Sequence, residues 1–209
     1  MEMWTRIKKL ASRLSWRFGK PCETIGSDGT DCSPKKTVGV VLDTPNGTRT
    51  VEATYGRGAR PDFAQVLKIA QARGVVTGAV AVANAGIPSY VLAEWRRIGY
   101  APYCGLGRPD CDDSVTAKAL SMGMRCDILV LASGDHAYAP LVRALTRLGK
   151  EVVVTAVRES TAQILLSSAS EFVDMPVSKH SRKPMRNVAR LLKSQDAPQR
   201  IQQSAESGA

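Results

Sequence analysis

Leu129-Val130-Leu131-Ala132-Ser133-Gly134-Asp135-His136-Ala137-Tyr138-Ala139-Pro140-Leu141 is the stretch on which the fold turns. Its apolar first part has strand character, stops at Ser133-Gly134-Asp135, and gives way to helical spacing. Such a strand delivers a carboxylate to the carboxyl edge of a sheet. Open α/β folds keep their ligand sites there.

The segments on either side repeat the alternation. Upstream, Val38 to Asp43 is an apolar strand that also ends in a carboxylate, and Thr44-Pro45-Asn46-Gly47 after it is turn chemistry, which stands Asp43 at a strand tip. Residues 47–60 read as a flexible loop holding Gly56, Gly58, Arg49, Arg57 and Arg60. Glycine lets a backbone approach a phosphate and arginine neutralises it, yet this loop matches neither the P-loop nor the dinucleotide fingerprint. The spacing predicts a helix over 61–73 ended by Gly74, a strand over 75–83, a helix over 87–98, and a short strand over 99–104. Pro102 favours an edge position for that last strand. A loop over 105–113 ends in Asp110, Asp112 and Asp113, with a helix over 114–124 behind it and an aspartate expected as its N-cap. After Asp135 come a helix over 138–148, a strand over 151–156, a helix over 161–168 and a strand over 171–174.

Strands alternating with helices predict a three-layer, Rossmann-like α/β domain: a central, mostly parallel sheet with helices on both faces. If the strand order reverses after the third strand, the first and fourth strands become neighbours. Asp43 and Asp135 then stand side by side.

Charge is distributed unevenly over the 209 residues, which have a net charge of +10 and a pI near 9.6. Residues 1–20 hold six basic side chains against one acidic, residues 175–209 hold seven against two, and residues 21–174 hold sixteen of each. Two basic arms on a neutral body point to an anionic partner, either nucleic acid phosphates or an anionic membrane surface, although short solubilising tails give the same count. Trp4, Ile7, Leu10, Leu14 and Phe18 recur at helical spacing among the N-terminal basic residues. This predicts a basic amphipathic helix over 1–20, compatible with docking on the domain, with nucleic acid, or with the membrane periphery. Residues 21–36 read as a linker, 37–176 as the domain, and 177–209 as a basic tail without core-forming residues, expected to be disordered. No apolar run approaches the length that spans a bilayer. The five cysteines show no C-x-x-C spacing, which disfavours a zinc site or a disulfide framework and fits reduced thiols in the cytoplasm.

Asp43, Asp135 and either Asp112 or Asp113 are thus expected to converge at one crevice. Carboxylates crowd in this way mainly to hold a hard divalent cation, because their repulsion otherwise raises a pKa or opens the site. No histidine or cysteine nucleophile, triad or nucleotide fingerprint competes.

Asp43-Thr44-Pro45-Asn46 resembles the D-x-x-N opening of NYN domains, a branch of the PIN-like ribonuclease fold. The run Asp112 to Leu120 is similar to that family's VDVxLAxDAL helix, and Ser133 to Leu141 to its SGDxDFxPL signature. Gly149-Lys150-Glu151-Val152 and Ser168 to Asp174 resemble its closing "GK-x-V" and "SADxFI-x-L" segments. The resemblance implies a metal-dependent ribonuclease fold acting on RNA with magnesium or manganese. It also implies catalytic and metal-binding roles for Asp43, Asp112 and Asp135, with Asp113 as a further ligand candidate. Asn46, Ser133, Lys118, Arg57 and Arg108 are the candidates for substrate contact. Two positions depart from the family pattern: Lys118 stands where the helix usually supplies a second carboxylate, and Ala137 where SGDxD supplies its second aspartate. They raise the alternative of a catalytically degenerate domain that binds RNA or serves as a regulatory or assembly module. The residues leave both readings open.

Overall fold

The computed structural model describes residues 35–105 and 111–178. The expected N-terminal helix and most of the linker, Arg108, and all but the first two residues of the basic tail lie outside them. The described chain forms six strands, β1 Thr37–Asp43, β2 Val75–Ala83, β3 Ala101–Cys104, β4 Ile128–Ala132, β5 Glu151–Ala156 and β6 Glu171–Asp174. Between them run α1 Thr44–Tyr55, α2 Phe63–Gln71, α3 Ser89–Ile98, α4 Asp112–Gly123, α5 Ala139–Arg147 and the single turn α6 Gln163–Leu166. Short 3₁₀ turns over His136–Tyr138 and Arg158–Ser160 complete the set.

All six strands are parallel, in the order β3-β2-β1-β4-β5-β6. The chain lays down β1, β2 and β3 outward in one direction. It then returns across the sheet through α4 to start β4 on the other side of β1. The switch point therefore falls between β1 and β4, and Leu42 pairs with Ala132 immediately before Asp43 and Ser133. Pro102 sits in β3 at one edge, where its missing N–H disturbs no ladder.

Period-2 alternation sorts the strand side chains into two cores. Val38, Val40 and Leu42 of β1 and Ile128, Val130 and Ala132 of β4 pack with Val51, Val66, Ala70 and Trp95 beneath α1, α2 and α3. Val41, Leu129 and Leu131 face the other way and pack with Val115, Ala119, Val142 and Leu145 beneath α4 and α5. Sheets buried on both faces read as unbroken apolar runs, as β4 does with every residue buried.

The structure corrects three expectations. Residues 47–60 are not a loop throughout, since α1 continues to Tyr55 before the chain opens. The Asp43 side chain accepts the Asn46 N–H as an N-cap and Pro45 occupies the first turn, so the residues read as a turn start a helix instead. Second, Asp112 and Asp113 do not cap α4. They lie inside its first turn, with Cys111 at the cap position, where carboxylates meet the positive end of the helix dipole. Third, the helix expected over 161–168 shrinks to Gln163–Leu166, because Thr161 and Ala162 are extended and Ser167 already caps the single turn.

Candidate active site

Asp43 ends β1 and is 2% exposed, at the point where β1 and β4 part. Its carboxylate is surrounded by donors. Oδ2 accepts the Ser133 hydroxyl at 2.9 Å and the Tyr138 hydroxyl at 3.1 Å, while Oδ1 accepts the Asn46 N–H at 3.1 Å and lies 3.8 Å from the Cys111 thiol. The Tyr138 oxygen is also 3.1 Å from Oδ1 of Asp112. One phenol therefore ties the tip of β1 to the first turn of α4. Burial raises the Asp43 pKa above its ordinary value against these hydrogen bonds, and the nearby Asp112 charge adds to the rise. Burial, followed by Asp43 and Asp112, pushes the Tyr138 phenol far up and the Cys111 thiol to about 12, so both remain protonated donors.

Ser133 is fully buried, and its oxygen also receives the Asp135 N–H at 3.3 Å. The side-chain oxygen of Asn46 takes the Gly134 N–H at 3.2 Å, which fastens the start of α1 to the loop after β4. A Cβ at Gly134 stands only 3.0 Å from Oγ1 of Thr161, so glycine lets that loop lie against the 161–162 segment. Asp135 Oδ1 accepts the Ala137 N–H at 2.9 Å and is 3.2 Å from Nδ1 of His136, whose side chain is 81% exposed.

Asp43, Asn46, Asp112 and Asp135 line one cleft of about 370 Å³, together with Pro45, Arg49, Asn84 and Cys111. Four of the residues selected from sequence thus meet in one cavity, and Ser133 supports it from beneath. The other candidates lie elsewhere. Asp113, one residue along α4, is exposed and does not line the cleft. Lys118 does not line it either: its ammonium sits 4.0 Å from the centroid of the Tyr103 ring on β3 in a cation–π contact. Arg57 lines a larger neighbouring groove. Tyr138, which stands where the SGDxDFxPL signature has phenylalanine, is buried, but its hydroxyl belongs to the site. Arg49, named in sequence only among the arginines of a loop without a fingerprint, lines the cleft, whereas Asn84 and Cys111 escape sequence reasoning, since neither sits in a motif whose spacing carries chemistry.

Among the described residues, no three His, Cys, Asp or Glu side chains stand close enough to hold a metal ion between them. The cleft's donors are oxygens of carboxylates and an amide, the hard set that magnesium-type ions take. Such ions keep several waters and need only one or two carboxylates. The donor chemistry therefore fits a hydrated divalent cation, in a looser arrangement than a closed cage.

A parallel α/β sheet with a buried acidic cleft at its switch point defines a Rossmann-like, PIN-like domain. Residues 37–178 match the model of the NYN domain family, and the chain belongs to that family, within the PIN-like superfamily. A comparison with curated proteins gives no match. Among solved structures, the chain is similar to a protein of unknown function from Vibrio parahaemolyticus, with 25% identity, 67% of this chain and 93% of that one covered, and a TM-score of 0.61. A dehydrogenase from Clostridium difficile is matched at 17% identity over 66% of this chain and 38% of that one, with a TM-score of 0.30, too low to carry an argument.

Proposed function

We propose that this domain is a divalent-metal-dependent ribonuclease that hydrolyses RNA phosphodiester bonds. The observation that carries the reading is the convergence of Asp43, Asp112, Asp135 and Asn46 on one cleft between β1 and β4. Asp112 and Asp135 are the carboxylates that would hold a magnesium or manganese ion, with Asp43 behind them. When bound, such an ion polarises a phosphoryl oxygen and lowers the pKa of a water. The chain's own part is to exclude bulk water at the buried Asp43, to orient Asp135 through the Ser133 and Ala137 bonds, and to bring Arg49 to the charge of the phosphate. Lys118 is held on Tyr103 and adds no positive charge to the cleft lining, which removes one objection to catalysis.

Two observations favour a second reading, an RNA-binding domain without catalysis. Both oxygens of Asp43 already accept hydrogen bonds from the protein, and Ala137 offers no carboxylate where the family signature has one. Labelled single-stranded RNA incubated with the protein in manganese, in magnesium and in chelator separates the two. Cleavage that needs metal and vanishes in Asp135→Asn is expected. RNA that is bound but never cut transfers the protein to the second reading.

The two basic arms add a sequence-independent hold on phosphates in either case. Among the described residues no helix is long and apolar enough to cross a membrane.

A further inference from the structure

A second cavity, about 1230 Å³, adjoins the acidic cleft and runs between α1, the start of α2 and α3. Its floor is apolar: Phe63, Ile87 and Val91 are only partly buried against the core, and with Trp95 they line the groove. Tyr90 projects from α3 beside them with 74% of its surface exposed, more than any other large hydrophobic side chain described. Apolar surface left open in this way gains free energy when it is covered. The path of the chain brings a cover to it. β6 is an edge strand, and the residues after it return to the groove. Asp62 donates its N–H to the Pro176 carbonyl at 2.7 Å, Pro61 and Val177 form an antiparallel bridge, and Ser178 donates its N–H to the Arg60 carbonyl at 3.0 Å. Ser178 itself lines the groove, so residues 179–209 depart from its rim at a point fixed by backbone hydrogen bonds. Those residues hold one apolar cluster, Met185, Val188, Ala189, Leu191 and Leu192, too small to make a core of its own. Placed on a helix at about 100° per residue, these five fall within about 160°, and Arg186, Arg190 and Lys193 fall within about 60° on the opposite side.

We infer that residues 185–193 of the same chain dock in this groove as a helix, with the apolar face on Val91, Trp95 and Tyr90 and the three cations turned to solvent. The pattern is that of an amphipathic helix in an apolar groove, anchored at i, i+3 and i+7 by Met185, Val188 and Leu192. Pro184 stands immediately before Met185 and suits the first position of a helix, where its missing N–H leaves no bond unmade. The tether between Ser178 and Met185 reaches at most about 25 Å when fully extended. It therefore keeps the segment beside the groove, at an effective concentration on the millimolar scale, and a contact too weak to form between separate molecules forms within one. The docked orientation leaves Arg186, Arg190 and Lys193 free for an anionic partner, so it does not compete with the charge of the arm. Pro45 and Arg49 line both the groove and the acidic cleft, so a long ligand that enters the cleft along the groove has to displace the segment. This follows whatever chemistry the cleft performs.

The test is amide hydrogen exchange, read by mass spectrometry on the full chain without metal or RNA, so that its outcome is separate from that of the nuclease reading. A millimolar effective concentration set against a dissociation constant of about 0.1 mM between separate molecules docks the segment about ten to one. Exchange over residues 185–193 is then about tenfold slower in wild type than in Val188→Glu/Leu192→Glu, which spoils the apolar face of the segment. Tyr90→Glu, a change at an exposed position on the groove side, should release the same peptide to a similar extent. The amides of α3 should exchange faster in both variants. Thermal melts of each variant establish that the domain is folded. Equal exchange over 185–193 in wild type and in both variants overturns the inference. Protection that grows with protein concentration also overturns it, by making the groove a contact between copies. Protection that arises only on adding phosphatidylserine vesicles or RNA overturns it as well, by giving the segment to a surface outside the chain.

Discussion

Tyr138 has one proton and two carboxylates in reach, so when it donates to Asp43 it turns a lone pair toward Asp112, and the reverse. Burial, and with it the charge of Asp112, raises the Asp43 pKa, so the single phenol proton is shared between two acids in a site that disfavours a second negative charge. A bound cation competes with this arrangement, because it needs the same oxygens as lone-pair donors. Tyr138→Phe should therefore bind manganese more tightly than wild type while melting lower, with a loss of about 1–2 kcal/mol for the hydrogen bond to a carboxyl group. Isothermal titration and thermal denaturation read the two effects separately, and an unchanged manganese affinity would remove the competition argument. The phenol is legible in sequence only as bulk. Its position, where the family signature has phenylalanine, announces a core residue, and nothing in the spacing of 43, 112 and 138 says that one hydroxyl reaches both acids.

At the scale of elements, α1 shows how a helix can be hidden from sequence. Its buried residues are Thr44, Asn46, Gly47, Val51 and Thr54, mostly small and polar, so the stripe that marks an amphipathic helix is missing. Glycine and threonine are poor helix formers, and packing against β1 and β2 overrides the propensity. The capping pattern is present in Asp43-Thr44-Pro45, but it reads equally as a turn because turns and helix starts use the same residues. Opposite α1, β1 approaches α4 so closely that a Cβ on Gly39 lies 2.3 Å from Cγ of Met122 and 3.1 Å from Sγ of Cys126. That contact belongs to the root of the methionine, which cannot swing away as its tip can. Gly39→Val should thus lower stability by about 1–3 kcal/mol despite its better strand propensity, measured by urea denaturation. A neutral or stabilising result would mean that α4 lifts from the sheet at little cost.

For the whole molecule, two buried or tethered aspartates at opposite ends of the sheet make stability depend on pH with opposite signs. Asp43 has a folded pKa above its ordinary 3.8, so its contribution is fully present below the unfolded value and is lost as pH rises through the folded one. Asp127, at the start of β4, is lowered by the N–H and hydroxyl of Thr37, both at 2.8 Å. Its contribution is present above the unfolded value and is lost as pH falls through the folded one. Asp43→Asn should accordingly melt above wild type at pH 7, with the gap closing toward pH 4. Asp127→Ala should melt below wild type at pH 7, with its gap closing in stronger acid. Parallel melting curves across that range would contradict both assignments. The same contrast separates what each level of description supplies. Apolar runs alternating with helical spacing determined the mostly parallel sheet and its two covered faces, because backbone hydrogen bonding and period-2 burial leave few ways to stack such segments, and they made the meeting of Asp43 with Asp135 conditional on a strand order that the tertiary structure supplied. Only the tertiary structure decided that Lys118 faces Tyr103 rather than the acids, that Asp113 turns to solvent, and that Tyr138 joins the site. A side chain's direction depends on the rotation of its helix against the sheet, and one residue along a helix changes that direction by about 100°. Ser133-Gly134-Asp135 is a strand tip by sequence. It becomes a buried acidic cleft only when β1 and α4 are packed beside it.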